Sequence, residues 1–230
     1  MKKFATGITV LDSCLGGGIP AGSLVLLIEK PGAGAEIITF QFAVEGVKRG
    51  ESVLYIVTDE TSENLMDHVK VYFPEFTTNE KFTLISFISN ITNDARAFLR
   101  SSKHDPLGYI RKILATSKYD RIIINNLNNL IRNYDEEEVI SLFEELSRKV
   151  KNDESVAIVI LVEGAVDSRI ENTLKSIADG IFELDIQERE NEIQRRLKVI
   201  KLRRCMVPKN VFRYDITEKG IRMESLMRVI

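Results

Sequence analysis

Hydrophobic and polar positions along this chain alternate between two periods, one suited to buried strands and one to helices. Short, nearly continuous apolar runs fall at 24–28, 52–57, 82–87, 121–124, 155–161 and 180–184. Runs of this length, rich in Val, Ile and Leu, predict strands covered on both faces. Between them, segments 35–49, 63–72, 107–117, 136–151 and 168–177 read as helices. The clearest is 136–151, where Val139, Ile140, Leu142, Phe143, Leu146 and Val150 share one face. Asp135 with Glu138 predicts a capping-box-like start. Glu136 and Glu137 lie at the positive end of its dipole, and Arg148, Lys149 and Lys151 at the negative end. Strands separated by helices predict an α/β domain with a mostly parallel sheet and helices on both faces.

The pattern changes towards the C-terminus. Segments 197–202 and 211–216 alternate apolar with polar residues, and Lys219-Gly220 offers a turn. This predicts antiparallel strands that finish the sheet. No linker, repeat or low-complexity stretch divides the 230 residues, so 1–230 reads as one domain. A net charge of -2 argues against nucleic-acid binding by overall charge, which leaves the basic stripe 195–209 as the local candidate. Cys14 and Cys205 match neither a metal spacing nor a disulfide framework, so a reducing, cytoplasmic setting is expected. His68 and His104 are isolated, and no metal is expected. No apolar run reaches membrane-span length, and the N-terminus lacks an apolar signal core. High Lys and Glu with few Gln lean towards a thermophile, while abundant Asn pulls the other way.

The most informative stretch is Glu29-Lys30-Pro31-Gly32-Ala33-Gly34-Ala35-Glu36, set between a predicted strand and a predicted helix. That is the context of a P-loop, with consensus G-x-x-x-x-G-K-[ST]. Here Glu29 replaces the first Gly, Gly34 is kept, Ala35 replaces the Lys and Glu36 replaces the Ser/Thr. The scaffold of a phosphate site is present without its chemistry.

Four landmarks, in order, resemble the KaiC-like branch of the RecA-type P-loop ATPases in its archaeal-type single-domain form. The first is 6–12 followed by 15–23, containing Gly16-Gly17-Gly18-Ile19-Pro20-Ala21-Gly22. The second is Glu45-Gly46-Val47-Lys48-Arg49-Gly50-Glu51 and the strand after it. The third is Ile177-Ala178-Asp179-Gly180-Ile181 running into 195–203, and the last is 212–221. The resemblance spans nearly the whole chain. It implies a RecA-like core with a mostly parallel sheet and antiparallel C-terminal strands.

In active members of that family the loop Lys reaches the β/γ-phosphates and the hydroxyl binds Mg²⁺. Ala35 removes the cation, and Glu36 places an anion beside the phosphate position. Like charges about 4 Å apart cost roughly 4 kcal/mol at an effective dielectric of about 20. Two readings stand for Glu36. It neutralises an unused anion site, favoured by the helix dipole by about 0.3–1 kcal/mol, or it is a ligand for a metal or another cation. Lys30 reads as a solvated loop residue or as a displaced lysine that swings towards an anion.

The family's metal-holding Asp is replaced by Asn125, neutral and a poorer Mg²⁺ partner. Its paired acids are kept as Asp59 and Glu60, either vestiges of a catalytic base or caps of the helix 63–72. The family segment that reaches a neighbouring subunit's γ-phosphate, Lys-x-Arg-Gly-Thr-x-His, keeps Lys201 and Arg203. Arg204, Cys205 and Val207 replace its Gly, Thr and His. The other reading of Lys201 and Arg203 is exposed residues of the basic stripe, which lacks interleaved aromatics for base stacking.

The sequence therefore points to a degenerate pseudo-ATPase that serves as a regulatory or protein-interaction subunit rather than an enzyme. The alternatives are a divergent ATP-binding ATPase and a DNA-binding recombinase paralogue that uses 195–209. No cofactor is expected beyond weak ATP or ADP binding. The expected partner is another protein or a related RecA/KaiC-like subunit.

Overall fold

The computed structural model describes residues 1–88, 105–189 and 192–224, so His104 lies outside the described residues. The strands are β1 (Lys3–Phe4), β2 (Ile19–Pro20), β3 (Ser23–Glu29), β4 (Val53–Val57), β5 (Phe82–Ser86) and β6 (Arg121–Asn125). They continue as β7 (Val156–Val162), β8 (Gly180–Arg189), β9 (Glu192–Leu202), β10 (Phe212–Thr217) and β11 (Gly220–Met223). The helices are α1 (Thr9–Cys14), α2 (Ala35–Lys48), α3 (Ser62–Lys70), α4 (Pro106–Thr116), α5 (Leu127–Asn133), α6 (Glu136–Asp153) and α7 (Ser168–Ile177).

Among the described residues a nine-stranded sheet runs β11-β10-β9-β8-β3-β7-β6-β4-β5. The strands from β8 to β5 are parallel, and β9, β10 and β11 add antiparallel. Strand alternation divides the core into two layers. Val25, Leu27, Tyr55 and Ile160 face the layer that contains α2 and α3. Leu24, Leu26, Ile28, Leu54 and Val159 face the layer that contains α4, α5, α6 and α7. Burying one such side chain is worth about 1.5–3 kcal/mol, so both helix layers are held by the same strands. On β9–β11 only one face is covered: Leu197, Val199, Phe212 and Tyr214 are buried while Arg213, Asp215 and Arg222 are exposed.

Three local expectations need correction. The capping box at Asp135 does not form, because its backbone carbonyl takes the N–H groups of Glu138 and Val139 at 3.0 and 3.2 Å and the side chain makes no cap. Asp59 and Glu60 do not cap α3; Thr61 does, its Oγ1 accepting the Asn64 N–H at 3.1 Å. The strand expected at 180–184 continues to Arg189 and pairs along its length with β9. The sequence pattern also gave no sign of α1 and α5.

Arg121 opens β6 fully buried. Its Nε meets Glu51 at 2.6 Å, and its Nη1 donates to the carbonyls of Ala5 (2.7 Å) and Phe42 (2.6 Å). Its guanidinium lies 4.2 Å from the Phe42 ring centroid. Gly46 makes room for it: a Cβ there would lie 2.5 Å from the Arg121 side chain. This joint fixes the base of α2, the helix that starts at the P-loop.

Candidate functional site

The P-loop lies at the C-terminal edge of the parallel strands, between β3 and α2. This is where open α/β sheets place ligands. Gly34 is the N-cap of α2 with φ +91°, a left-handed conformation that suits glycine. A Cβ there would also meet Ile216 Cδ1 at 2.6 Å.

Side chains from the antiparallel strands grip the loop. Tyr214 Oη donates to the Ala33 carbonyl at 2.8 Å, and Arg195 Nε donates to the Gly32 carbonyl at 3.1 Å. The Lys30 N–H donates to the Leu184 carbonyl at 3.1 Å. The Lys30 ammonium turns away from the loop and pairs with Asp185 at 2.6 Å, which raises the Lys30 pKa and lowers that of Asp185. Pro31 is exposed, and Ala33 and Ala35 are fully buried.

Inside the loop sits Glu29. Its Oε2 accepts the Ala35 N–H at 2.9 Å, and the Gly34 N–H also stabilises the carboxylate. Burial dominates and raises its pKa, with the charges of Glu36 and Asp59 acting in the same direction.

Glu36 occupies the position of the consensus hydroxyl and joins the other departures. Its Oε2 accepts from Asn125 Nδ2 at 3.0 Å, and its Oε1 lies 3.4 Å from His68 Nε2 on α3. Glu60 hydrogen-bonds to Glu36, and its own pKa is pushed up to about 8 by burial first, then by Glu36 and Asp59. The changes at 36 and 125 are coupled in charge. An Asp at 125 would face a carboxylate across the same gap, whereas the Asn amide donates to it.

Neighbouring asparagines complete the edge. Asn126 Nδ2 donates to Asp59 at 3.0 Å, and Asn128 Oδ1 accepts the Val162 N–H at 2.8 Å. Asn129 Nδ2 donates to the Thr58 carbonyl.

The structure thus brings together Glu29, Glu36, Asp59, Glu60 and Asn125. It leaves Lys201 and Arg203 apart from them. Lys201 Nζ donates to the Ala178 carbonyl at 2.6 Å and also to the Lys175 carbonyl, at the end of α7, and Arg203 pairs with buried Asp179 at 3.2 Å. The stripe 195–209 is not one basic face. Arg195 is on the loop side, Arg196 and Lys198 oppose Asp185 and Glu183 across the β8–β9 ladder, and Arg204 donates to the Gly22 carbonyl at 2.8 Å.

Sequence reasoning missed Tyr214, Asp185 and His68. Only Tyr214 carried a signal, as the aromatic centre of an alternating strand. The group implied by the loop, a Mg²⁺-bound nucleotide, does not fit these residues. Among the described residues the Ala35 amide faces a carboxylate, no lysine enters the loop, and the metal position holds Glu36 hydrogen-bonded to Asn125.

Comparisons with known proteins agree with the fold. A family model described as "ATPase: KaiC" matches residues 4–227. A UPF0273 protein from Methanopyrus kandleri is 25% identical over 97% of this chain and 92% of its own length. A circadian clock oscillator protein KaiC from Picosynechococcus is 23% identical over 98% of this chain, which spans only 43% of that protein. The crystal structure of a KaiC-like protein from the hyperthermophilic archaeon Pyrococcus horikoshii superposes with a TM-score of 0.78 at 21% identity, covering 97% of this chain and 99% of that one. With a family match over almost its whole length and the P-loop scaffold in place between β3 and α2, this chain belongs to the KaiC family of ATPases.

Proposed function

We propose that this KaiC-family domain does not hydrolyse ATP and works as a regulatory or protein-interaction subunit, alone or beside related chains. The observation that carries the reading is the 3.0 Å hydrogen bond between Glu36 and Asn125. It joins the two positions at which the family carries its hydroxyl and its metal-holding Asp, and both now carry other groups that bond to each other. The loss of the loop lysine at Ala35 and the capture of Lys30 by Asp185 remove the cation that phosphate needs.

A protein partner accounts for the apolar side chains left in solvent on and after β9. Ile193, Ile200, Met206 and Val211 are exposed, with Met206 at 91%. Among the described residues no helix is long and apolar enough to cross a membrane. The split basic stripe gives no support to the DNA-binding reading. Calorimetry of the native protein with Mg·ATP tests the proposal: heats at the dilution level are expected, and a micromolar dissociation constant would sink it. Light scattering of native and Met206→Asp protein tests the contact surface, with loss of assembly expected in the variant.

A further inference from the structure

We propose that the Glu29 carboxylate is a tethered anion held in the phosphate nest of this loop, so that the protein supplies its own ligand there and excludes phosphate from solution. The inference rests on the reading of a retired nucleotide site and adds how that site is kept closed.

Glu29 is the last residue of β3 and stands where the P-loop consensus has its first Gly, a residue with no side chain to enter the loop. A glutamate there projects a carboxylate towards the amides that open α2. Backbone N–H groups at a helix start, with the helix dipole behind them, bind anions. The Ala35 N–H bond to Glu29, at 2.9 Å, is the contact those donors would make to a phosphate oxygen.

Among the described residues no cation pairs with this carboxylate. Lys30 pairs with Asp185, and Arg195 spends its Nε on the Gly32 carbonyl. The titratable groups that face Glu29 are Glu36 from α2, Asp59 beyond β4 and Tyr214 from β10. The two acids repel its charge, so the loop amides are what hold it. Burial and that repulsion raise its pKa while the Ala35 and Gly34 amides oppose the shift. A tethered group also competes at an effective concentration of about millimolar or more, so dilute phosphate is displaced by mass action.

The experiment follows backbone amides by ¹⁵N–¹H NMR while inorganic pyrophosphate is added without Mg²⁺. Native protein is expected to show no saturable shift at Gly32, Gly34 or Ala35. Glu29→Gly, which restores the consensus residue and empties the loop, is expected to bind pyrophosphate at least tenfold more tightly, with the largest shifts at Gly34 and Ala35. Equal binding in native protein and Glu29→Gly, or a folded Glu29→Gly that binds none, overturns the proposal.

Glu29→Gln guards against a variant that fails to fold. In native protein the Ala35 amide shift should follow an acid titration that lies above the ordinary glutamate range, and Glu29→Gln should abolish that titration. A native Ala35 amide that ignores pH across the acid range refutes the contact. This readout contains no nucleotide, so it fails separately from the Mg·ATP measurement.

Discussion

Replacing Glu60 by Gln should make the protein less sensitive to alkali. In the folded chain the Glu60 carboxyl sits against Glu36, with Asp59 beside it and His68 and Asn125 on the other sides of Glu36, and its pKa rises from 4.5 to about 8. The sign follows from proton counting. Between about pH 4.5 and 8 the unfolded chain releases this proton and the folded chain keeps it, so stability falls as pH rises through that window and levels off above it. Each pH unit is worth about 1.4 kcal/mol, which sets a ceiling of about 5 kcal/mol for the whole window. Glu60 is only half-buried, and solvent screening brings the expected loss down to about 2 kcal/mol. Gln keeps the reach and donates its amide to Glu36 but cannot ionise. Urea unfolding of both proteins at pH 5 and pH 9 measures the difference, because groups outside the Glu36–Asp59–Glu60 cluster are common to the two. Native protein should lose about 2 kcal/mol more than Glu60→Gln over that range by the same linkage. Unfolding free energies that run parallel across the range would refute the contact between Glu60 and Glu36 as the source of the shift.

Other expectations concern the loop and its supports. Gly46→Ala gains about 1 kcal/mol of helix propensity yet should destabilise by about 1–3 kcal/mol on thermal denaturation, because the new Cβ overlaps pinned Arg121. Tyr214→Phe should cost about 1–3 kcal/mol by leaving the Ala33 carbonyl unpaired, with faster amide hydrogen exchange confined to 32–35. Ala35→Lys with Glu36→Thr should not restore Mg·ATP binding in calorimetry, while adding Glu29→Gly and Asn125→Asp should. Double-stranded DNA should show no salt-dependent affinity in a fluorescence titration, since Arg195 lies on the opposite face of β9 from Arg196 and Lys198, and Arg203 and Arg204 are held by Asp179 and the Gly22 carbonyl.

The strands were readable because their task is simple. Residues buried on both faces must be apolar without interruption, and 24–28, 121–124 and 155–161 are. α5 was hidden because Asn128, Asn129 and Asn133 are poor helix formers; the Asn126 cap and the bonds of Asn128 and Asn129 to neighbouring strands hold it instead. The losses at Ala35, Glu36 and Asn125 were legible against the consensus. That two of them bond to each other was not, because 89 residues separate Glu36 from Asn125. The same distance problem hid the clamp: Lys30 meets Asp185 across 155 residues and Ala33 meets Tyr214 across 181. Pattern along a chain reports periodicity and substitution, and it carries no record of which distant side chain arrives.

The Arg121 joint bears on how this protein must be assembled in time. Its guanidinium gathers a carbonyl 116 residues upstream, another 79 residues upstream and a carboxylate 70 residues upstream into one buried point. None of these can be satisfied by local structure, so the closing of the large loops precedes the reward, a topology associated with slow folding. Ala5 is one of the partners, which gives the first few residues a late role. A chain that begins at Thr6 would bury a cation with one acceptor missing. Such a chain should open more readily while its folding rate changes little, even though it keeps every residue of the loop.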